Sequence, residues 1–333
     1  MLKVGIIGYG GIGHSHLACW AQLKDYAQVV AVADIREEKR EELKDRKDLK
    51  LYADGADLIE NEDVDIIDIC IPTFLHTKYA VMAMEKGCDV FLEKPVCLNE
   101  EEAQLLIETQ KKTGAKVQVG LVVRFEDEYS WVKDAIDNNT YGKVVCAEFH
   151  RLSQHVGWSW DNWYATPEKS GTVALDMHIH DVDFVRYMMG KNPDSVKSHA
   201  TRDKDGVIQQ IFSTYKYGDV VINTIAGWDF PNTYTFGMPF LVKFERATVT
   251  FNHERVLTVY TNDEKFCPEF KKEYEGVVEN GMNLSIRGPY VNELKWFVTE
   301  TIPKGNNKAS LEDGIESARL AWKEIECAGG IRK

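Results

Sequence analysis

Three observations place this 333-residue chain in the α/β class, with a Rossmann-type doubly wound parallel sheet first and a C-terminal α/β domain carrying a large, mostly antiparallel, open-faced sheet after it. From residue 2 to about 121, short β-branched apolar runs alternate with helical stretches. Beyond about 122, extended runs follow one another through turn signals instead. The third observation is local. A glycine-rich turn, "GIIGYGGIGHSH", comes directly after the first apolar run and opens the first helical stretch.

The runs "LKVGIIG", "VVAVAD", "VDIIDICIP", "CDVFLEK" and "KVQVGL" have the length and composition of strands buried on both faces, as parallel strands lying under helices must be. Between them, "GIGHSHLACWAQL", "EEKREELKDR", "HTKYAVMAMEKG" and "NEEEAQLLIETQKKTG" keep a 3.6-residue rhythm, and two of them end in the glycine that stops a helix. Strand–helix alternation predicts a parallel sheet wound on both sides. The expected division is 1–121 for the doubly wound domain and 122–333 for the domain with the open-faced sheet. The second part opens with a helix, "DEYSWVKDAIDNN", and a strand, "GKVVCAEFHRL". An aromatic loop follows, "GWSWDNWYATPEKSG", after which Thr172 stands where the rhythm asks for another glycine. One helix is predicted over 172–189. The runs "VIQQIFSTYKYGDVVINTIAGWDF", "PFLVKFERATVTFN" and "RVLTVYT" alternate as in an antiparallel sheet with one open face, and "KYGD" reads as a hairpin turn. Helices near 289–303 and 310–328 close the chain, the last a candidate to pack back on the first domain.

A net charge of −13 argues against a nucleic-acid groove, which needs a concentrated basic face, and against docking on anionic membranes. A neutral or cationic small molecule is the easier partner. No apolar run approaches the ~18 residues of a membrane span. The start, "MLKVGIIGYG", reads as a strand and not as a signal peptide. Cys19, Cys70, Cys88, Cys97, Cys146, Cys267 and Cys327 are scattered with no C-x-x-C pair, which fits reduced thiols in the cytoplasm and no disulfide framework.

Gly8, Gly10 and Gly13 form G-x-G-x-x-G between a strand and a helix, with Tyr9, Gly11 and Ile12 completing the loop. Such glycines permit a tight turn and let the backbone approach a pyrophosphate at the helix N-terminus. Asp34 ends the next strand, where the dinucleotide fingerprint asks for an acidic residue. A carboxylate can accept both ribose hydroxyls of NAD. Against a 2′-phosphate each unit of like charge costs roughly 4 kcal/mol at ~4 Å and an effective dielectric of ~20. Arg36 offsets part of that repulsion, so NAD is favoured and NADP stays open.

"FLEKP" puts Glu93 and Lys94 at a carboxyl strand end, where open α/β sheets bind ligands. An ammonium there can orient a substrate hydroxyl and stabilise developing alkoxide charge; the plainer reading is a surface ion pair. In "DMHIHD", a continuous helix sets Asp176 and His180 four residues apart on one face, with Asp183 and Tyr187 along the same stripe. An imidazole tuned by a carboxylate suits acid–base work near neutral pH. His178 points to the apolar side, beside Val182, Val185 and Met189, as a buried core histidine. Chelation of one metal by His178 and His180 therefore needs a distorted helix or ligands from elsewhere. No metal is expected. Trp158, Trp160, Trp163 and Tyr164 offer apolar faces for a sugar ring, or else serve as core and subunit contacts.

With these parts in order, the chain resembles the Gfo/Idh/MocA oxidoreductases, the sugar and inositol dehydrogenase family, over nearly its whole length. The carriers are "GIIGYGGIGHSH", "PTFLH", "EKP", "VVRFEDEY", "NWYATPEKSG", "DMHIHDVD" and "YVNELKWFVTETI". The resemblance implies that Lys94 binds the reacting hydroxyl, that His180 is the general acid/base, and that Asp176 positions substrate or tunes the pair. It implies that Pro72, Thr73, His76 and Glu93 line the nicotinamide side, and that Arg124 and Trp163 border cofactor or substrate. It further implies a carbohydrate or polyol substrate and a homodimer or homotetramer built through the second domain's sheet. Tyr164 stands where many members carry Arg, and His178 where a small residue is common. Two other classes remain in view: a non-catalytic NAD(P)-binding regulator of the same fold, and a metal-dependent lyase or isomerase using His178 and His180.

Overall fold

The computed structural model describes residues 1–157, 159–271 and 288–332. The chain forms two compact units, Met1–Phe125 with Lys272–Ile315, and Glu126–Lys271 with Glu316–Lys333.

The first unit runs β1 (Leu2–Ile7), α1 (Gly11–Gln22), β2 (Ala27–Ala33), α2 (Glu37–Glu41), β3 (Lys50–Tyr52) and α3 (Gly55–Asn61). It continues with β4 (Ile66–Ile69), α4 (His76–Lys86), β5 (Asp89–Leu92), α5 (Glu100–Thr113) and β6 (Val117–Val119). The six strands are all parallel in the order β3-β2-β1-β4-β5-β6, so the order reverses between β1 and β4. Ligands of such sheets bind at the carboxyl ends of the strands flanking that reversal. Side chains set the helix starts: Asp54 accepts from the Ala56 amide (2.8 Å), and Asn99 from the Glu102 amide (2.9 Å). Gly87 and Gly114 stop α4 and α5 in the left-handed conformation. Strand β3 went unread in the sequence because three residues carry no periodicity. "EEKREELKDR" is helical only over its first half.

The second unit holds α6 (Asp127–Asp137), β7 (Val144–Gln154), α7 (Pro167–Ser170), α8 (Thr172–Asp176) and α9 (Ile179–Met189). Then come β8 (Ser195–Arg202), β9 (Ile208–Tyr217), β10 (Val220–Phe230), β11 (Phe240–Phe244), β12 (Thr248–Phe251), β13 (Leu257–Tyr260) and β14 (Lys265–Phe266). They make an eight-stranded sheet, β14-β13-β12-β11-β7-β10-β9-β8, antiparallel except where β7 meets β10. The expected hairpin turns on Gly218, at φ 63°. Burial alternates along β8 and β11, so one face of the sheet is covered and the other open. On the covered face Tyr129 sits edge-on to Phe184 and Phe240, each 4.8 Å away between ring centroids, and its hydroxyl donates to the Met238 carbonyl. Beside them Arg151 clamps Asp181 with two hydrogen bonds, Nε to Oδ2 (3.0 Å) and Nη2 to Oδ1 (2.9 Å), both side chains buried.

The chain ends with α10 (Pro289–Trp296), a widened π-helical turn over Phe297–Thr301, α11 (Ile302–Lys304) and α12 (Leu311–Cys327). Val291, Leu294 and Phe297 share one apolar core with Val4 and Ile6 of β1, Leu17 and Trp20 of α1, and Phe91 of β5. Residues far past 121 thus complete the first unit. The α12 residues Leu311–Ile315 fall in the first unit and Glu316 onward in the second.

The single helix expected over 172–189 is corrected to two. The amides of Met177 and His178 both converge on the Val173 carbonyl (3.3 and 2.9 Å), which widens the turn and separates α8 from α9.

Removing one partner of the Arg151–Asp181 pair strands the other charge in the core. Asp181→Ala is expected to cost about 3–5 kcal/mol in chemical denaturation, whereas the double variant Arg151→Met/Asp181→Leu recovers most of the loss. A single variant within about 0.5 kcal/mol of wild type would show that the pair is dispensable.

Candidate active site

In the first unit the predicted residues meet at the carboxyl edge of the sheet. Gly8 has φ +94°, and a side chain there would run into the Cys70 carbonyl at the end of β4. A side chain on Gly13 would overlap the Gly8 carbonyl, so the start of α1 is pressed against the turn. At Gly10 a Cβ would meet only the Arg36 guanidinium, 3.7 Å away. The helix begins there with no side-chain cap and no acidic residue in its first turn. Gly11 and Ile12, half-buried, form that first turn. Tyr9 is buried, and its amide donates to Asp34 Oδ2 (2.8 Å). Asp34, just past β2, also accepts from the Arg36 amide and from Arg36 Nε and Nη2. Burial opposes charge on Asp34, but these bonds outweigh it and hold the carboxyl below its ordinary pKa.

Pro72 leads into a 3₁₀ turn, Thr73–Leu75, and the Thr73 hydroxyl is buried with no hydrogen-bond partner among the described residues. The His76 ring lies between two backbone carbonyls, Pro95 (2.8 Å from Nδ1) and Ile71 (2.8 Å from Nε2). Burial, the largest influence, pushes its pKa down. His76 thereby ties the end of β4 to the residue after Lys94. The Lys94–Pro95 peptide is cis, and the Lys94 amide donates to Glu93 Oε2 (3.2 Å). Arg124 is not on an open rim. Its side chain is 2% exposed, donates to the Lys308 carbonyl (2.7 Å) and pairs with Asp313 (3.2 Å).

The sequence reading missed a buried polar chain behind this edge. His16 of α1 places Nδ1 3.0 Å from Asp68 Oδ2 and Nε2 3.4 Å from Glu93 Oε1, while Trp20 donates to Asp68 (2.8 Å). Glu293 of α10 joins them; it is fully buried, and neither of its carboxyl oxygens has a hydrogen-bond partner among the described residues. Burial disfavours charge on His16, but Asp68 and Cys70 outweigh it and the imidazole is held well above its usual pKa. Burial and then Glu93 push Glu293 well above the carboxylate range. His16–Asp68–Cys70 and His16–Glu93–Glu293 are the metal-capable groups among the described residues; the His178/His180 pair imagined from sequence is not one. A signal for the chain existed: acidic residues inside the apolar run "VDIIDICIP" and on the core stripe of "YVNELKWF".

The second unit carries the acid–base candidates on the widened turn. Asp176 closes α8 and is buried; His180 lies in the first turn of α9 and is half-buried. They do not sit on one continuous helix. His178, between them, is fully buried with Nε2 3.4 Å from Thr224 Oγ1 and 3.3 Å from Glu324 Oε2. Asp183 is buried and accepts from Ser317 (3.0 Å). Thr172 starts α8 at φ +64°, a strained conformation for a β-branched residue. Trp163 and Tyr164 stack with ring centroids 4.1 Å apart, and Tyr164 meets Trp228 edge-on at 6.0 Å. Trp160 is exposed, and Trp158 lies outside the described residues.

The geometry of the first unit fits a dinucleotide: an uncapped helix start for the pyrophosphate, open space over Gly10 and an unmatched buried hydroxyl at Thr73. Comparison with known proteins agrees. Residues 2–121 match the family model described as "Oxidoreductase family, NAD-binding Rossmann fold", and residues 129–250 match the "GFO/IDH/MocA C-terminal domain". The chain belongs to the Gfo/Idh/MocA oxidoreductase family, and its first unit is that family's NAD-binding domain. It is 32% identical over 201 residues to the myo-inositol 2-dehydrogenase of Thermotoga maritima, covering 59% of this chain and 57% of that protein. The match to the scyllo-inositol 2-dehydrogenase (NAD⁺) of Bacillus subtilis is 28% identical over 66% of this chain and 61% of that one. The chain thus spans about three fifths of the length of these curated relatives. Among solved structures, the myo-inositol 2-dehydrogenase of Lactobacillus plantarum has the same fold, with TM-score 0.80 and 22% identity over 98% of this chain and 97% of that chain. No described helix is long and apolar enough to cross a membrane, and no disulfide joins any of the cysteines among the described residues.

Glu293 faces Glu93 just past β5, Asp68 of β4, and His16 and Cys19 of α1. A carboxyl whose folded pKa is raised contributes its stability below its unfolded pKa and loses it as pH rises. Glu293→Gln removes that titration. Its melting temperature is expected to come closest to wild type near pH 4.5 and to gain on it as the pH rises. A melting-temperature difference that stays flat with pH would contradict the buried neutral acid.

Proposed function

We propose that this protein is an NAD-dependent dehydrogenase that moves a hydride between the nicotinamide and a secondary alcohol or ketone of a sugar, polyol or inositol-like ring. The observation that carries the reading is the anchoring of Lys94. Its backbone is fixed through Glu93 and through His76 on Pro95, at the same strand edge as the glycine turn and Asp34. Such effort around one lysine fits a residue that must present its amine accurately. When bound, NAD supplies a hydride acceptor at the nicotinamide C4.

In this reading Lys94 binds the reacting hydroxyl and stabilises negative charge developing on it. His180 takes the hydroxyl proton as general base in oxidation and returns it in reduction, worth ~10²–10⁴ in rate. Asp176, one widened turn earlier, orients substrate or tunes that imidazole. Positioning is the larger contribution, since a near-attack geometry supplies on the order of 7–11 kcal/mol. The stacked Trp163 and Tyr164, with Trp228 edge-on, offer an apolar wall for a ring face. Tyr164 brings no cation where many relatives carry Arg, which favours a neutral ring over a sugar acid. The names of the inositol-dehydrogenase relatives support the same substrate class. The reading includes a homodimer or homotetramer built on the open sheet face and a reducing, cytoplasmic setting in keeping with cysteines that form no disulfide among the described residues.

Incubation with NAD and a panel of sugars and inositols, followed by absorbance of the reduced cofactor, tests it. Lys94→Ala and His180→Ala are each expected to lose about 10²-fold or more in turnover while still binding NADH. Wild-type rates in either variant would refute the assignment.

A further inference from the structure

Asp34 is the residue that the dinucleotide fingerprint assigns to the adenosine ribose. A carboxylate offers about four lone-pair sites, and in this structure all four are spoken for. Oδ1 accepts from the Arg36 amide and Arg36 Nε, both 2.9 Å; Oδ2 accepts from the Tyr9 amide and Arg36 Nη2, both 2.8 Å. A ribose diol therefore has to displace Arg36 before Asp34 can accept from it. A free carboxylate would impose no such competition. Arg36 itself is not spent. Its guanidinium carries five N–H donors in a fixed fork, of which two serve Asp34. The side chain is 22% exposed, and its Nη2 lies beside the open position over Gly10. Arg40 reinforces the same loop by donating from Nη1 to the Asp34 carbonyl (2.7 Å). The loop thus presents a cation with donors unused among the described residues where the 2′ substituent of an adenosine ribose would arrive.

We propose that Arg36 decides the cofactor: it masks Asp34 from the ribose diol and presents its spare donors to a 2′-phosphate, so that the site takes NADP as well as NAD. This deepens the dinucleotide reading of the first unit and rests on it. Sequence reasoning let Arg36 offset only part of the charge that Asp34 sets against the phosphate. The bidentate pair changes that balance, because a neutralised carboxylate repels a phosphate far less than a bare one, and an arginine fork matches phosphate geometry.

The test is a titration of the purified protein with NADH and NADPH, followed by nicotinamide fluorescence or calorimetry, on wild type, Arg36→Ala and Arg36→Lys. Wild type is expected to bind the two within about tenfold of each other, with NADPH the more weakened by added salt. Arg36→Ala should weaken NADPH by about 10- to 100-fold, the usual scale for losing charge-assisted hydrogen bonds. It should leave NADH unchanged or tighter, since the freed carboxylate can now accept the diol. Arg36→Lys, which keeps the charge and loses the fork, should fall between. Equal effects on both cofactors in Arg36→Ala, with an unchanged melting temperature, would overturn the proposal. So would a wild type that excludes NADPH by about 10³-fold or more. A wild type that binds neither cofactor would overturn the dinucleotide reading itself.

Discussion

The contact on which the first unit depends is steric: the start of α1 pressed so closely against the Gly8 carbonyl that residue 13 can carry no side chain. That approach fixes the angle at which the helix leaves the turn. It points the uncapped amides of the first turn at the open side of the loop, and it brings His16, three residues on, under the carboxyl ends of β4 and β5. From there the ionic chain Asp68–His16–Glu93 continues to the backbone of Lys94. The glycine turn and the proposed reacting lysine are in this sense joined through the interior of the sheet and not across its surface.

The fold was largely legible in the sequence because it follows from local periodicity. Buried parallel strands announce themselves as apolar runs, and the switch to alternating runs marks the open-faced sheet. What escaped has two physical causes. Some elements are too short to show a period, as with the three residues of β3. Others depend on partners far along the chain. His16 and Asp68 lie 52 positions apart, and no pattern within either segment says that they pair. The same holds for α10, whose apolar stripe is plain in "YVNELKWFV" but whose place in the first unit's core is visible only in three dimensions.

The candidate site was legible by residue type more than by conformation. Asp176 and His180 look like neighbours on an ideal helix, yet two amides sharing the Val173 carbonyl put a widened turn between them. Such turns often mark functional positions. His178 sits at the turn and is drawn inward by Thr224 and Glu324, which accounts for a polar residue on the apolar side. Asp34 offers the opposite lesson. Its position was predictable from spacing, but its hydrogen-bonding state was set by Arg36 and could be known only from geometry.

Thr172 holds a left-handed backbone angle that costs an L-residue roughly 1–2 kcal/mol, at the threshold of the helix that ends in Asp176. The surrounding packing must hold that tension, for the residue is buried and, among the described residues, its hydroxyl makes only a long contact with the Ala174 amide (3.4 Å). A loaded spring at this place lowers the work of local opening. The step into Asp176 should therefore exchange its amide hydrogens faster than it would with glycine at position 172, where the same backbone angle carries no penalty.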